Sequence, residues 1–543
     1  MTRLSVLVLT LVTLGACAGP QQEETSAPAA AAPAAAPAKR ATSGDVSFDL
    51  PPVEVKGVVY EPDALGRPSM PLVQAKKKTA VDKAALDRQR ALIQTTKDPV
   101  AKQAQAAILV TTLYLEAKSD KAKEKPAWTE ARQILRDVVQ AVGDKNVDEI
   151  TLQLLGSYEL LLEDFPDAEK AWHDLIEKDP KAKDLADYRA WLAYAQLKQF
   201  KNADALATVG TDKADDKLPE LAYVTAWAKL RGGDSPGAWQ AITAAARGWG
   251  NKPNREELEH NVLWFAGRAN IPLDQAQPVV ADVLARSKLQ QYELLARLGL
   301  TSYALTGRWA DGVAALDKAA EVAGDTVPTN DRPVIRYSQA DFMVRLDSPD
   351  VATKFAKQAI EALARCDAKC TAKDKADMIQ GVYLMGRLFH ILYATANDQR
   401  YYEPAHALYD LTIPLLDPAG KTQAQQDLKK LETTLRNMKV GTGTHDKGAL
   451  GALLPRHNLE AQACYETALA SSPKLGGNVV VNLESDATGV IKGVSTEPKA
   501  GAADLAAIAG CIAGRARQWK LPKRGMPGNT RIKMTFALAV AAK

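Results

Sequence analysis

The chain is poor in the features that most directly announce a chemistry. Its apolar stretch from Leu4 to Leu14 falls short of the about 20 residues a membrane-spanning helix needs. No charge of one sign dominates. With 69 Lys and Arg against 65 Asp and Glu, the net charge is +4 over 543 residues. The two signs are interleaved, so nothing argues for a nucleic-acid-binding face. Histidine is scarce: His173, His260, His390, His406, His445 and His457 are all there are. None stands in a His-Glu-x-x-His pair, and no Gly-x-Ser-x-Gly elbow or phosphate-loop lysine occurs. The Gly-x-Gly within Val440 to Gly451 has neither a preceding strand nor a following Lys-Ser/Thr, so it reads as linker. These gaps leave no catalytic, cofactor-binding or metal-binding residue to assign, and the sequence reads as a scaffold rather than an enzyme.

What is present begins with length. A chain of 543 residues is too long for a single core, so several modules or an elongated array are expected. Arg3 precedes the apolar stretch, which ends in Leu14-Gly15-Ala16-Cys17 and fits the core of a secretory signal. That ending resembles a bacterial lipobox, which implies that residues 1–17 are a lipoprotein signal and that Cys17 is acylated. Ala18 stands where an inner-membrane retention signal has aspartate, which implies an outer-membrane anchor facing the periplasm. Residues 18–62 follow as a tether rich in alanine and proline, with an extended lead-in from Phe48 to Pro62. Its prolines prevent a helix, and Val53, Val55, Val58 and Val59 suit either a strand or packing on the first helices.

Helical patterning runs from 77 to 438. At its centre a helix-turn-helix unit recurs every 35 residues, with Phe165 and Ala168 answered by Phe200 and Ala203, then by Ser235 and Ala238. Small residues recurring where helices cross mark a stacked helical repeat. The unit with Leu155-Gly156, Asp164-Phe165, Ala168, Trp172 and Asp179-Pro180 resembles a tetratricopeptide (TPR) repeat. Tyr303, Gly307, Trp309, Leu316 and Ala319 fall at similar offsets, with Gly312 in place of the usual alanine. The resemblance implies a partner groove lined by Tyr188, Leu192, Tyr223 and Trp227; filling of the inter-repeat core is the alternative role for the same four.

Residues 439–455 are a glycine-rich hinge with no apolar period. Beyond it, Asn458 to Ser471 reads as a helix, Val479, Val481 and Leu483 alternate as a strand, and Val490 to Val494 returns as a hairpin. Asp504 to Gln518 forms a second helix, and Ile532, Met534, Phe536, Leu538 and Val540 alternate as a last strand. The order implies a small α+β domain over 457–543. Cys464, the Gly477-x-Val-Val-Val strand, Gly489, Cys511 and Trp519-x-x-Pro522 resemble the C-terminal domain of myxobacterial gliding-motility proteins of the AgmX/PglI type. That domain is itself similar to the C-terminal domain of TonB. The likeness implies that Ile532 to Val540 offers an edge for a partner strand.

Once Cys17 takes lipid, four cysteines remain in an oxidising compartment. Cys464 and Cys511 on the two helices suit a bridge. Cys366 and Cys370 suit a second, with a metal site as its rival, although no histidine or further thiolate lies close in sequence. The whole is expected to be a mainly α, TPR-like solenoid followed by a small α+β domain. The combination resembles the TPR lipoproteins of the adventurous-gliding machinery, which implies a non-enzymatic scaffold for motility or other envelope proteins. A lipoprotein of secretion or outer-membrane assembly that holds peptides is the alternative. Neither reading calls for nucleic acid or a small-molecule substrate.

Overall fold

A computed structural model describes residues 45–68, 83–117, 120–210, 215–366, 370–396, 398–437, 450, 457–498, 503–521 and 528–541. The expected lipobox with Cys17, and the hinge 439–455 apart from Leu450, lie outside the described residues. Two units divide the chain: one comprises Tyr60–Ala269, the other Met1–Val59 with Asn270–Lys543. No helix among the described residues is long and apolar enough to cross a membrane.

In the unit 60–269, the short segment Tyr60–Arg67 precedes ten helices among the described residues. They are α1 (Lys83–Thr95), α2 (Pro99–Ala117), α3 (Lys121–Val142), α4 (Glu149–Leu161), α5 (Phe165–Lys178), α6 (Leu185–Lys198), α7 (Asn202–Val209), α8 (Pro219–Arg231), α9 (Ser235–Gly248) and α10 (Arg255–Arg268). Three hairpin turns here share one construction. Glu163, Phe200 and Gly233 take φ of 61°, 60° and 89°. The next amide in each case reaches back to the carbonyl of Glu159, Gln196 or Lys229, at 2.9, 2.9 and 2.8 Å. A left-handed residue followed by this long backward bond closes a helix and satisfies its last carbonyls. The following helix starts two residues later, and its fourth residue is Ala168, Ala205 or Ala238, each 0% exposed. Only a small side chain fits where the paired helices cross. Gly156 shows how close the crossing is, because a Cβ there would lie 2.8 Å from the Trp172 Nε1.

This geometry corrects the even spacing read from the sequence. The equivalent alanines are 37 and then 33 residues apart, so Ala205, not the exposed Ala203, is the counterpart of Ala168. Phe200 is no counterpart of Phe165 either. Phe165 opens a helix, whereas Phe200 is the left-handed turn residue itself.

The other unit carries α11 (Leu273–Pro278), α12 (Lys288–Arg297), α13 (Trp309–Ala323), α14 (Asp331–Arg345), α15 (Pro349–Ala364), α16 (Ala372–Ala396), α17 (Tyr402–Thr412) and α18 (Pro418–Asn437). The same turn recurs at Gly307 and Asp347, with φ of 72° and 56°. Gly312 and Ala352 then fill the small-residue position. A Cβ at Gly312 would meet the Phe342 ring at 2.9 Å, which explains glycine where alanine otherwise serves. Cys366 and Cys370 are bridged just beyond α15, with Cα atoms 6.0 Å apart.

The chain ends in α19 (Asn458–Leu469), β3 (Gly477–Ser485), β4 (Ile491–Pro498), α20 (Ala503–Ala516) and β5 (Thr530–Val540), the expected order. The fold is thus a mainly α, solenoid-like arrangement followed by a small mixed sheet. That sheet is open, and it takes two further strands from the front of the chain: β1 (Val46–Asp49) and β2 (Val53–Gly57). Both run parallel to β5, with Val46 opposite Thr530 and Val53 opposite Phe536. Pro51 and Pro52, which have no N–H to donate, separate them. One face of the sheet buries Val479, Val481, Leu483, Ile532, Met534, Phe536 and Leu538 against Tyr465, Ile508 and Ile512 of α19 and α20. A bridge between Cys464 and Cys511 joins these two helices, with Cα atoms 5.8 Å apart.

The pairing overturns the expected partner edge. β5 has β3 on one side and β1 and β2 on the other, which cover all of that second side except Met534 and Thr535. Ile532, Met534, Phe536 and Leu538 are core, and only Val540, 41% exposed, faces out.

A candidate protein-binding groove

In the unit 60–269 a cleft between helices is filled by the chain itself. The occupant is Tyr60–Arg67, reading Tyr-Glu-Pro-Asp-Ala-Leu-Gly-Arg. Proline keeps Glu61 extended. One short turn, Asp63–Leu65, is closed by Gly66 at φ 69°. The walls of the cleft are α6 and α8, the first helices of two successive hairpins, and α10, the helix that follows them.

Each wall supplies a distinct contact. From α6, Lys198 pairs with Glu61 and reaches Asp63 Oδ1 at 3.2 Å. From α8, the Tyr223 hydroxyl accepts the Ala64 amide at 3.1 Å and donates to Asn261 Oδ1 at 2.9 Å. Arg231, also on α8, donates through Nη2 to the Tyr60 carbonyl at 3.1 Å and through Nη1 to the Leu197 carbonyl at 2.7 Å. From α10, Trp264 packs against the Tyr60 ring with centroids 4.7 Å apart, and is itself stacked on Trp227 at 5.2 Å. Ala64 and Leu65 are buried, at 0% and 7% exposure. Arg67 closes the far end with a two-pronged pair to Glu124, at 2.9 and 3.0 Å, and lies over the Trp128 ring of α3.

The electrostatics follow from burial. Arg231 lies over the rings of Phe200 and Trp227, 4.8 and 5.4 Å from their centroids, and loss of solvent lowers its pKa to about 10. Burial also acts to lower Lys198, but Tyr194 and the carboxylates of Glu61 and Asp63 outweigh it, and its pKa is raised. Burial holds the Tyr223 hydroxyl well above its ordinary range, so it remains a neutral donor and acceptor.

Of the four residues expected to line the groove, Tyr223 touches the occupant and Trp227 supports the ring that does. Tyr188 instead rests against Trp172, with centroids 5.9 Å apart, and Leu192 is buried at 4% exposure. Lys198, Arg231, Asn254, Asn261 and Trp264 were not legible as groove residues. Lys198 and Arg231 end α6 and α8, Asn254 precedes α10, and Asn261 and Trp264 lie within it, so they share no local signal.

Two acidic clusters could be mistaken for metal sites. Glu159, Asp164 and Asp167 bring one oxygen each close together, but Arg132 and Arg136 already pair with them. His173, Asp174 and Glu177 form the other, on one helix surface. In the unit that carries the sheet, His457 stacks on Trp519 at 4.3 Å and bonds Glu460 at 3.3 Å. They line a cavity of about 190 Å³ with Trp309, Asp347 and Tyr401, so the last domain packs back onto the helices of its own unit.

No known family model matches the sequence. No curated protein matches it either. Among solved structures, the apo form of the quorum sensor NprR from B. thuringiensis is similar at 14% identity, over 59% of this chain and 96% of that one. The TM-score is 0.25, too low to carry an argument.

Proposed function

We propose that the protein is a lipid-anchored, non-enzymatic scaffold that holds partner proteins in the bacterial envelope, as a component of a gliding-motility complex. The observation that carries the binding role is the groove itself, in which two successive hairpins and the helix after them grip an extended segment through its main chain and its carboxylates. Extended-peptide capture is what a concave helical array does well. Small residues recurring at helix crossings support a TPR-like array, and the order of helices and strands supports a TonB-like final domain. Anchoring through Cys17 at the outer membrane and a role in motility rest on the resemblances of the signal and of the final domain. Two disulfides accord with an oxidising compartment.

The groove's extended occupant also suits a second reading, a lipoprotein that holds peptides during secretion or outer-membrane assembly. Purification from membranes of the source cell, with and without residues 457–543, separates the two. Motility subunits favour the first reading and assembly components the second. Mature protein in the cytosol, without fatty acid on Cys17, overturns the anchored scaffold.

A further inference from the structure

The scaffold reading leaves open why a binding groove is closed by the chain that carries it. We infer that Tyr60–Arg67 is a built-in ligand. The true partner is an extended segment of another protein with a carboxylate–proline–carboxylate pattern followed by a small and then an apolar residue, which enters by displacing it. The inference rests on the groove being a protein-binding site.

Three observations carry it. First, the recognition is of a pattern. Lys198 sits between two carboxylates on either side of a proline. Tyr223 and Arg231 read main-chain atoms of Ala64 and Tyr60, and Asn254 lies 3.5 Å from the Ala64 carbonyl. Any extended segment with the same charges and a small third anchor meets these groups equally well. Second, the resident segment leaves the groove incompletely satisfied. Among the described residues, the buried donors Arg231 Nε and Trp264 Nε1 have no acceptor. Both lie beside Tyr60: Trp264 packs on its ring, and Arg231 donates through Nη2 to its carbonyl. A partner bringing an acceptor side chain there would complete the wall, and a buried donor left unmade is a standing cost that such a partner removes. Third, the segment adds no turn or crossing to the helical hairpins, which close on their own alanines and backward bonds.

An intramolecular ligand reduces the apparent affinity for a competitor by the fraction of time the groove is open. The probe is a fluorescent synthetic peptide of residues 58–68, added to the full chain. Disabling the resident segment by E61K together with D63K is expected to tighten peptide binding about tenfold or more over wild type. Adding Lys198→Glu to that variant should abolish binding of that peptide and bring a peptide carrying both lysines back only to the wild-type level, because the resident segment then matches the groove again. In wild type, saturating peptide should speed hydrogen exchange at residues 60–67, a readout that holds even if the charge variants misfold. Equal binding to wild type and variant overturns the inference, as does unchanged exchange under saturating peptide. Dimers that exchange the segment between copies also overturn it, because the occupant is then a second copy. Partners that still co-purify from membranes after such a failure would leave the scaffold reading standing and remove only the built-in ligand.

Discussion

Adding bulk at Ala205 should unsettle the first helical unit, whereas the same change at Ala203 should not. Ala205 is 0% exposed at the crossing of α7 with its neighbours, while Ala203 faces solvent on the same helix. A leucine at Ala205 inserts three carbon atoms into a closed contact. Overpacking of this kind costs about 1–3 kcal/mol. Ala203→Leu should stay within about 0.5 kcal/mol of wild type, because surface changes away from special features rarely do more. For a unit of this size each kcal/mol moves the midpoint by roughly 2–4 °C. Calorimetry of the full chain, with hydrogen exchange at α6 and α8 to assign the transition, measures both variants together. Equal effects, or a larger loss from Ala203→Leu, would refute the phasing of 37 and 33 residues and restore the even spacing.

Further outcomes follow from the groove and the sheet. Tyr223→Phe removes the acceptor for the buried Ala64 amide; it should cost about 1–3 kcal/mol and accelerate exchange at that amide, read by mass spectrometry. Lys198 has a folded pKa above its ordinary 10.5. Its contribution is therefore fully present below the unfolded value and is lost as pH rises through the folded one. Retention of the segment, followed by Tyr60–Trp264 fluorescence, should be level through neutral pH and decline only under strong alkali. Replacing Cys464 and Cys511 by serine opens a loop of 47 residues and should lower the stability of the final domain by about 4 kcal/mol on the entropy model, read by urea unfolding. Deleting residues 45–59 uncovers one side of β5 and removes the buried Leu50 and Val55, a loss of roughly 3–6 kcal/mol. It should also increase concentration-dependent association, seen by light scattering.

Local physics was legible in the sequence and distant pairing was not. Period-two alternation placed β3 and β5, and alanines at helix crossings announced the hairpins, because each signal lies within a few residues of what it specifies. The two bridges followed from an even cysteine count and from helix positions. Phe200 misled the phasing because an aromatic beside a turn reads alike whether it opens a helix or forms the turn. Here it takes the left-handed position, and its ring covers Arg231 at 4.8 Å. The strands at 46–57 read as extended, but nothing local could say that their partner lay at Thr530–Val540. That pairing is what turned an expected edge into the middle of a sheet. The groove suffered similarly, since its occupant lies far ahead in sequence of the helices that hold it.

The role proposed for the groove across α6, α8 and α10 is to hold a partner's segment. Hydrogen exchange at Tyr60–Arg67, compared between the isolated chain and the chain in complexes drawn from native membranes, tests it most directly. Slow exchange in isolation and fast exchange in the complex, with α6, α8 and α10 still protected, is the predicted result. Protection of Tyr60–Arg67 that is the same in both would contradict it.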